Sequence, residues 1–95
     1  MIVCGNDVVA LGALNAAKDL GVAVPDDVSM VGFDDLPAAA WPLVRLTTVA
    51  FDLDAMARKA ANLLVRRVEA EEPQPYEHAV FGTHLVRRGT LAAAG

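Results

Sequence analysis

The chain is poor in cysteine and aromatics: one cysteine, one tryptophan, one tyrosine and three phenylalanines in 95 residues. A single thiol, Cys4, cannot close an internal disulfide, which excludes a disulfide framework and is compatible with a reducing compartment. Apolar residues run together for only a few positions, far short of the about 20 needed to cross a bilayer. The N-terminus also lacks a basic stretch followed by an apolar one, so neither membrane insertion nor export is expected and the cytoplasm is the expected location. Basic residues are in the minority: 8 Lys and Arg stand against 12 Asp and Glu, for a net charge of −4 and a pI near 4.9. That is the wrong sign for a surface that neutralises phosphates, so no direct nucleic-acid contact is expected, and Arg66-Arg67 and Arg87-Arg88 read as solvated doublets.

What is abundant is apolar surface. Hydrophobic residues make up 55% of the chain and the mean hydropathy is +0.38. A chain of this length buries only about 60–65% of the surface its unfolded form exposes. Part of this apolar surface is therefore expected to be covered by another chain or by further segments.

Ile2-Val3-Cys4 reads as a short strand ended by Gly5-Asn6-Asp7, whose side chains favour a helix start. An Ala- and Leu-rich helix follows from Asp7 to Leu20, with Gly21 at the position where a helix end takes positive φ. Val9, Ala13, Ala16, Ala17 and Leu20 are expected on its inner face, with Val8, Leu11 and Leu14 extending the apolar surface around it, so it must be covered on more than one side. After the turn at Pro25-Asp26-Asp27, the continuous apolar run Val28–Phe33 suits a buried parallel strand. Strand, helix and strand make a βαβ unit, and the expected class is α/β with a parallel sheet and a right-handed crossover. Pro37 and Pro42 break the next segment, in which Ala38–Trp41 has room for one helical turn. A short extended piece is expected at Leu46–Val49, a second helix from Asp52 or Asp54 to about Glu69, a loop at Glu71–Pro75, one or two short strands within Tyr76–Arg88 and a loose tail at Leu91–Gly95. Leu53, Met56, Ala60, Leu63, Leu64 and Val68 recur near helical spacing along the second helix.

Candidate chemistry gathers at the ends of the first two strands. Open α/β sheets collect ligands at the carboxyl ends of their strands, where Asn6-Asp7 and Asp34-Asp35 both fall. Asn6 donates and accepts, whereas the Asp34 carboxylate only accepts, and the pair suits a polyol or sugar-like ligand. The spacing leaves a second reading open, in which Asn6 or Asp7 caps the helix and Asp34-Asp35 shapes a turn. Acid–base catalysis or cation binding by the doublet is not expected, because adjacent side chains usually point apart and no further ligand cluster accompanies them. Cys4 lies in a strand without a neighbouring base, and the spacing of His78 and His84 is no zinc pattern. Gly82-Thr83-His84 lacks the lysine and helix start of a phosphate loop, which excludes nucleotide hydrolysis, and with no base, cofactor loop or metal cluster beside Asp34 or Cys4 neither cofactor, metal nor enzymatic activity is expected. Trp41 is open to two readings, core filler or interface anchor.

Several segments taken in order resemble the LacI/GalR family of transcriptional repressors. They are Gly5-Asn6-Asp7 with the Ala-Leu-Gly-Ala-Leu helix, Val24-Pro25-Asp26-Asp27-Val28-Ser29-Met30-Val31-Gly32-Phe33-Asp34-Asp35, Leu46-Thr47-Thr48-Val49, and Leu85-Val86-Arg87-Arg88-Gly89-Thr90. The resemblance is collinear over nearly the whole chain. It implies the C-terminal part of a two-lobed sensor of periplasmic-binding-protein-like fold, in which effector lies between the lobes and a separate helix-turn-helix headpiece, absent from this chain, binds DNA. Residues 1–49 and about 84–92 would then be second-lobe elements and about 52–82 first-lobe elements, the chain crossing near Val49–Phe51 and returning near Gly82-Thr83. The resemblance also implies that Asn6 and Asp34 contact the effector and that Leu11, Leu14 and Trp41 belong to a dimer surface. With half of each sheet outside the chain, a homodimer or strand-swapped oligomer is expected of it alone. A fragment of a transport-system sugar-binding protein, which shares the fold, is the alternative.

Overall fold

The computed structural model describes residues 1–93 and divides the chain into two compact units. Met1–Ala50 and the chain from His84 onward make the first, and Phe51–Thr83 the second.

In the first unit, β1 (Ile2–Val3) pairs in parallel with β2 (Met30–Val31), in the register Ile2 to Met30 and Val3 to Val31. The assigned strands are short, but the ladder extends past them. The backbone N–H groups of Ile2, Cys4 and Asp7 donate to the carbonyls of Ser29, Val31 and Phe33 at 2.8, 2.8 and 2.9 Å. From its other edge β2 runs parallel to the start of β3 (Thr48–Phe51), through a bridge between Val31 and Thr47. There the N–H groups of Gly32 and Asp34 donate to the Thr47 and Val49 carbonyls at 2.9 and 3.0 Å. β2 is therefore central, which is why Met30 and Val31 are buried and why its sequence is apolar without alternation. β3 pairs with β4 (Thr83–Val86) in a second two-stranded sheet.

The helix α1 (Asp7–Leu20) is bounded as its ends dictate. Asn6 is the N-cap, its side-chain oxygen accepting from the Val9 N–H at 2.9 Å, and Gly21 closes the C-terminus at φ 71°. Its inner face differs from the expected one: Asp7, Ala10 and Ala17 are buried and Ala13 and Leu14 pack on the core, whereas Val9 is 54% and Leu20 76% exposed. The reason is that the first inward position is a buried acid, Asp7, which hydrophobic periodicity does not register. Cys4, Ala10, Met30, Ala39 and Leu46 form the core, with Val24 and Val44 packed against it.

One 3₁₀ turn, Pro37–Ala40, stands where one helical turn was expected, and Trp41 follows it. The expected strand at Leu46–Val49 lies two residues later in the chain, at Thr48–Phe51, since Leu46 turns into the core first. Polar threonines stitch the interior: Thr90 Oγ1 donates to the Met30 carbonyl at 2.6 Å and accepts from the Thr47 N–H at 2.9 Å, while Thr47 Oγ1 accepts from the Arg88 N–H at 3.0 Å. Among the described residues no buried side-chain polar atom lacks a partner.

The second unit holds helix α2 (Leu53–Glu69), capped by the Asp52 carboxylate, which accepts from the Ala55 N–H at 2.9 Å. None of its residues is fully buried. The apolar series noted at helical spacing leaves Leu53, Leu64 and Val68 largely exposed, because within this unit only the irregular segment after the helix is at hand to cover it. That segment is tied on by polar contacts. Glu77 pairs with Lys59 at 3.0 Å and Arg66 at 3.7 Å, and Arg67 donates to the Pro75 carbonyl at 2.8 Å while lying 5.1 Å from the centre of the Tyr76 ring. The strand expected within Tyr76–Arg88 is confined to β4, so His84 is a strand residue and His78 is not. The expected tail is described to Ala93, and its last two positions lie outside the described residues.

Candidate functional site

The parallel pairing puts the ends of β1 and β2 on one rim. Asn6 and Asp34 directly flank a single backbone hydrogen bond, from the Asp7 N–H to the Phe33 carbonyl. Asn6 is half-buried; its Oδ1 is spent on the helix cap, while its Nδ2 has no partner among the described residues. The cap thus leaves the amide nitrogen of Asn6 unspent. Asp34 is exposed, and its carboxylate makes no hydrogen bond or ion pair among the described residues. An unspent donor beside an unspent acceptor can take a ligand rich in hydroxyls.

The two acids of the doublet have different fates. Asp35 is half-buried and its Oδ1 accepts from Arg88 Nη2 at 2.9 Å, and Arg88 Nη1 also donates to the Leu46 carbonyl at 3.0 Å. Both acids sit at positive φ, 115° for Asp34 and 55° for Asp35, a region sparsely used by residues with a side chain. The surroundings hold them there. The Asp34 N–H donates to the Val49 carbonyl, the Asp35 N–H to Thr48 Oγ1 at 3.4 Å, and the Leu36 N–H to Asp7 Oδ2 at 2.7 Å.

Asp7 is the other residue whose side chain could have capped α1. It is fully buried instead, and its Oδ1 accepts from the Thr48 hydroxyl at 2.6 Å. Gly32 makes room for it, since a Cβ there would collide with the Asp7 carboxyl group and stand 2.9 Å from Leu46 Cδ2. The signal was present in the spacing, because positions 7, 10, 14 and 17 form one helical face once an acid is admitted to it.

The residues expected at a subunit interface are distributed unevenly. Leu11 is half-buried, Leu14 packs against the core of its own unit, and Trp41 is 59% exposed beside a fully exposed Leu43. A groove of about 750 Å³ runs beside the C-terminal end of α1, lined in part by Lys18, Val22, Leu43 and Arg45. It lies at the opposite end of α1 from Asn6. Among the described residues no group of three His, Cys, Asp or Glu is placed to hold a metal, and no helix is long and apolar enough to cross a membrane.

Comparison with known proteins gives this geometry a context. Residues 2–91 match the periplasmic binding protein-like domain family. The chain is 44% identical over 93 residues to the HTH-type transcriptional regulator MalR of Streptomyces coelicolor, covering 98% of this chain and 27% of that protein. It superposes on a LacI-family transcriptional regulatory protein from Corynebacterium glutamicum with a TM-score of 0.81 and 38% identity, covering 98% of this chain and 36% of that one. A transcriptional regulator CelR, solved as its cellobiose complex, is matched with a TM-score of 0.82 and 34% identity over 93% of this chain and 27% of that one. The chain thus spans about a quarter of the length of the curated relatives it matches. With β1, α1 and β2 arranged as they are and the match running almost from end to end, the chain belongs to the periplasmic binding protein-like domain family, as part of the effector-binding domain found in LacI-family transcriptional regulators.

Proposed function

We propose that the chain is an effector-sensing and dimerising part of a LacI-type regulator, that its effector is a sugar-like small molecule, and that Asn6 and Asp34 bind it. The observation that carries this reading is the pair of unspent polar groups flanking the hydrogen bond between Asp7 and Phe33. The cellobiose complex of a regulator 34% identical to this chain supports the ligand class. In this reading the first unit supplies second-lobe elements and the second unit first-lobe elements. Leu11 and Trp41 face a partner subunit, whereas Leu14 packs on the core of its own unit; the exposure of Trp41 and Leu43 is what supports an interface there. Ligand closes the lobes and shifts the pose of the subunits, by no more than its differential affinity for the two poses. The protein works in the cytoplasm, is no enzyme, and leaves DNA contact to a headpiece outside these residues.

Calorimetry of the full-length protein against neutral mono- and disaccharides, cellobiose included, tests the reading. D34N is expected to weaken the binding sugar by about tenfold or more, the cost of losing a charge-assisted hydrogen bond. An affinity unchanged by D34N, or no sugar bound by the wild type, would contradict it. The description of the matched family itself favours a second reading, a sugar-binding protein of a transport system. The coding sequence upstream of residue 1 separates the two: a helix-turn-helix supports the regulator and a signal peptide the transport protein.

A further inference from the structure

The loop that carries Asp34 is held from inside the fold rather than by its own sequence. Residues 34 and 35 adopt backbone conformations that cost energy for any residue with a Cβ, and such conformations persist only where neighbours over-determine them. Here one buried carboxyl group acts on both sides of the doublet's second residue. Asp7 Oδ2 takes the Leu36 N–H at 2.7 Å, and Asp7 Oδ1 takes the Thr48 hydroxyl proton at 2.6 Å. The same Thr48 oxygen, so oriented, accepts from the Asp35 N–H at 3.4 Å. Thr48 and Asp7 have no exposed surface, so water does not compete for these bonds. Arg88 then secures the Asp35 side chain at 2.9 Å.

We propose that Asp7 and Thr48 are positioning residues for the sugar contact: they preset the 34–36 loop so that the Asp34 carboxylate is held ready without touching the ligand themselves. The inference rests on the reading of Asp34 as a sugar contact. It assigns the buried acid a role in affinity, where its burial alone would make it only a structural element. Preorganisation of this kind raises affinity by removing the cost of ordering the contact at the moment of binding. Gly32 belongs to the same device, because any side chain there would displace the Asp7 carboxyl group.

Asp7 itself is a poor first target, because removing it leaves two buried donors unmatched and threatens folding. Thr48 is the better one: T48V keeps shape and removes the hydroxyl, and T48S keeps the hydroxyl. Calorimetry of the full-length protein with cellobiose, or with whichever neutral sugar the wild type binds, is run on T48V, T48S, D34N and T48V/D34N. The expected result is an affinity about tenfold lower for T48V, restored in T48S, with T48V adding nothing once Asp34 is replaced. D34N weakening the sugar while T48V binds like the wild type overturns the positioning role and leaves the sugar contact standing. T48V weakening binding equally in the D34N background, or T48S failing to restore it, also overturns the positioning role. D34N binding like the wild type, or a wild type that binds no sugar, overturns the sugar contact and this inference with it.

Discussion

At the scale of single residues, Asp7 and Asp34 show how burial divides labour between two carboxyl groups within one rim. Asp7 has no exposed surface and both its oxygens are occupied; Asp34 is exposed and its carboxylate is unspent among the described residues. Removing the first should therefore act on stability as well as on the loop that presents Asp34, and removing the second on ligand affinity alone. D7A leaves the Leu36 N–H and the Thr48 hydroxyl without acceptors, at about 1–3 kcal/mol for each unmatched group. Urea denaturation should show a loss of roughly 2–5 kcal/mol, the sum of those penalties reduced by local relaxation. A D7A midpoint within error of the wild type would mean that the interior bonds to Asp7 contribute nothing. The sequence places an acid at each position, and the helical face 7, 10, 14 and 17 is the one local mark of which is buried. What decides it is the absence of a Cβ at residue 32 and a hydroxyl 41 positions downstream of Asp7, both known only once the strands are paired.

Helix boundaries were the most readable feature at the scale of elements, because the caps are local: Asn6 and Gly21 for α1, Asp52 for α2. The strands were harder, because pairing decides their length. Val28–Phe33 reads as one apolar run, yet only Met30–Val31 is flanked by ladders regular enough to be assigned as strand, and the run from Tyr76 keeps only Thr83–Val86. On α2, the Lys59 ammonium hydrogen-bonded to Glu77, with Arg66 adding to it, holds the Glu77 carboxyl group below the usual glutamate range. A lowered folded value means that this pairing stabilises above the ordinary glutamate pKa and is lost as the pH falls through the folded one. The contribution is small, because the pair is solvent-screened. Carboxyl NMR titration should find the Glu77 midpoint low in the wild type and raised in K59Q; an identical midpoint in both would exclude the pairing. The 3₁₀ turn supplies the other element-scale expectation. If exposed Trp41 anchors a subunit contact, W41S should shift the full-length protein from dimer towards monomer in sedimentation velocity, whereas an unchanged dimer would exclude Trp41 as an anchor.

For the whole molecule, the informative fact is that a chain with 55% hydrophobic residues leaves much of them uncovered. Ile2 and Val3 on β1, Val8 and Val9 on α1 and most of the apolar series of α2 are exposed in the two units as they stand. Composition anticipated this surplus, in a chain that spans about a quarter of the length of the curated relatives it matches. The division at Ala50 and His84 means that the chain passes between the units twice. In the proposed reading, one sugar is shared by the amide of residue 6 and the carboxylate of residue 34. A crystal structure of the full-length protein with the sugar that calorimetry selects tests it most directly. That sugar's hydroxyl oxygens are expected about 2.7–3.2 Å from both Asn6 Nδ2 and the Asp34 carboxylate, and a sugar seated elsewhere, with either group turned to solvent, would contradict a shared site.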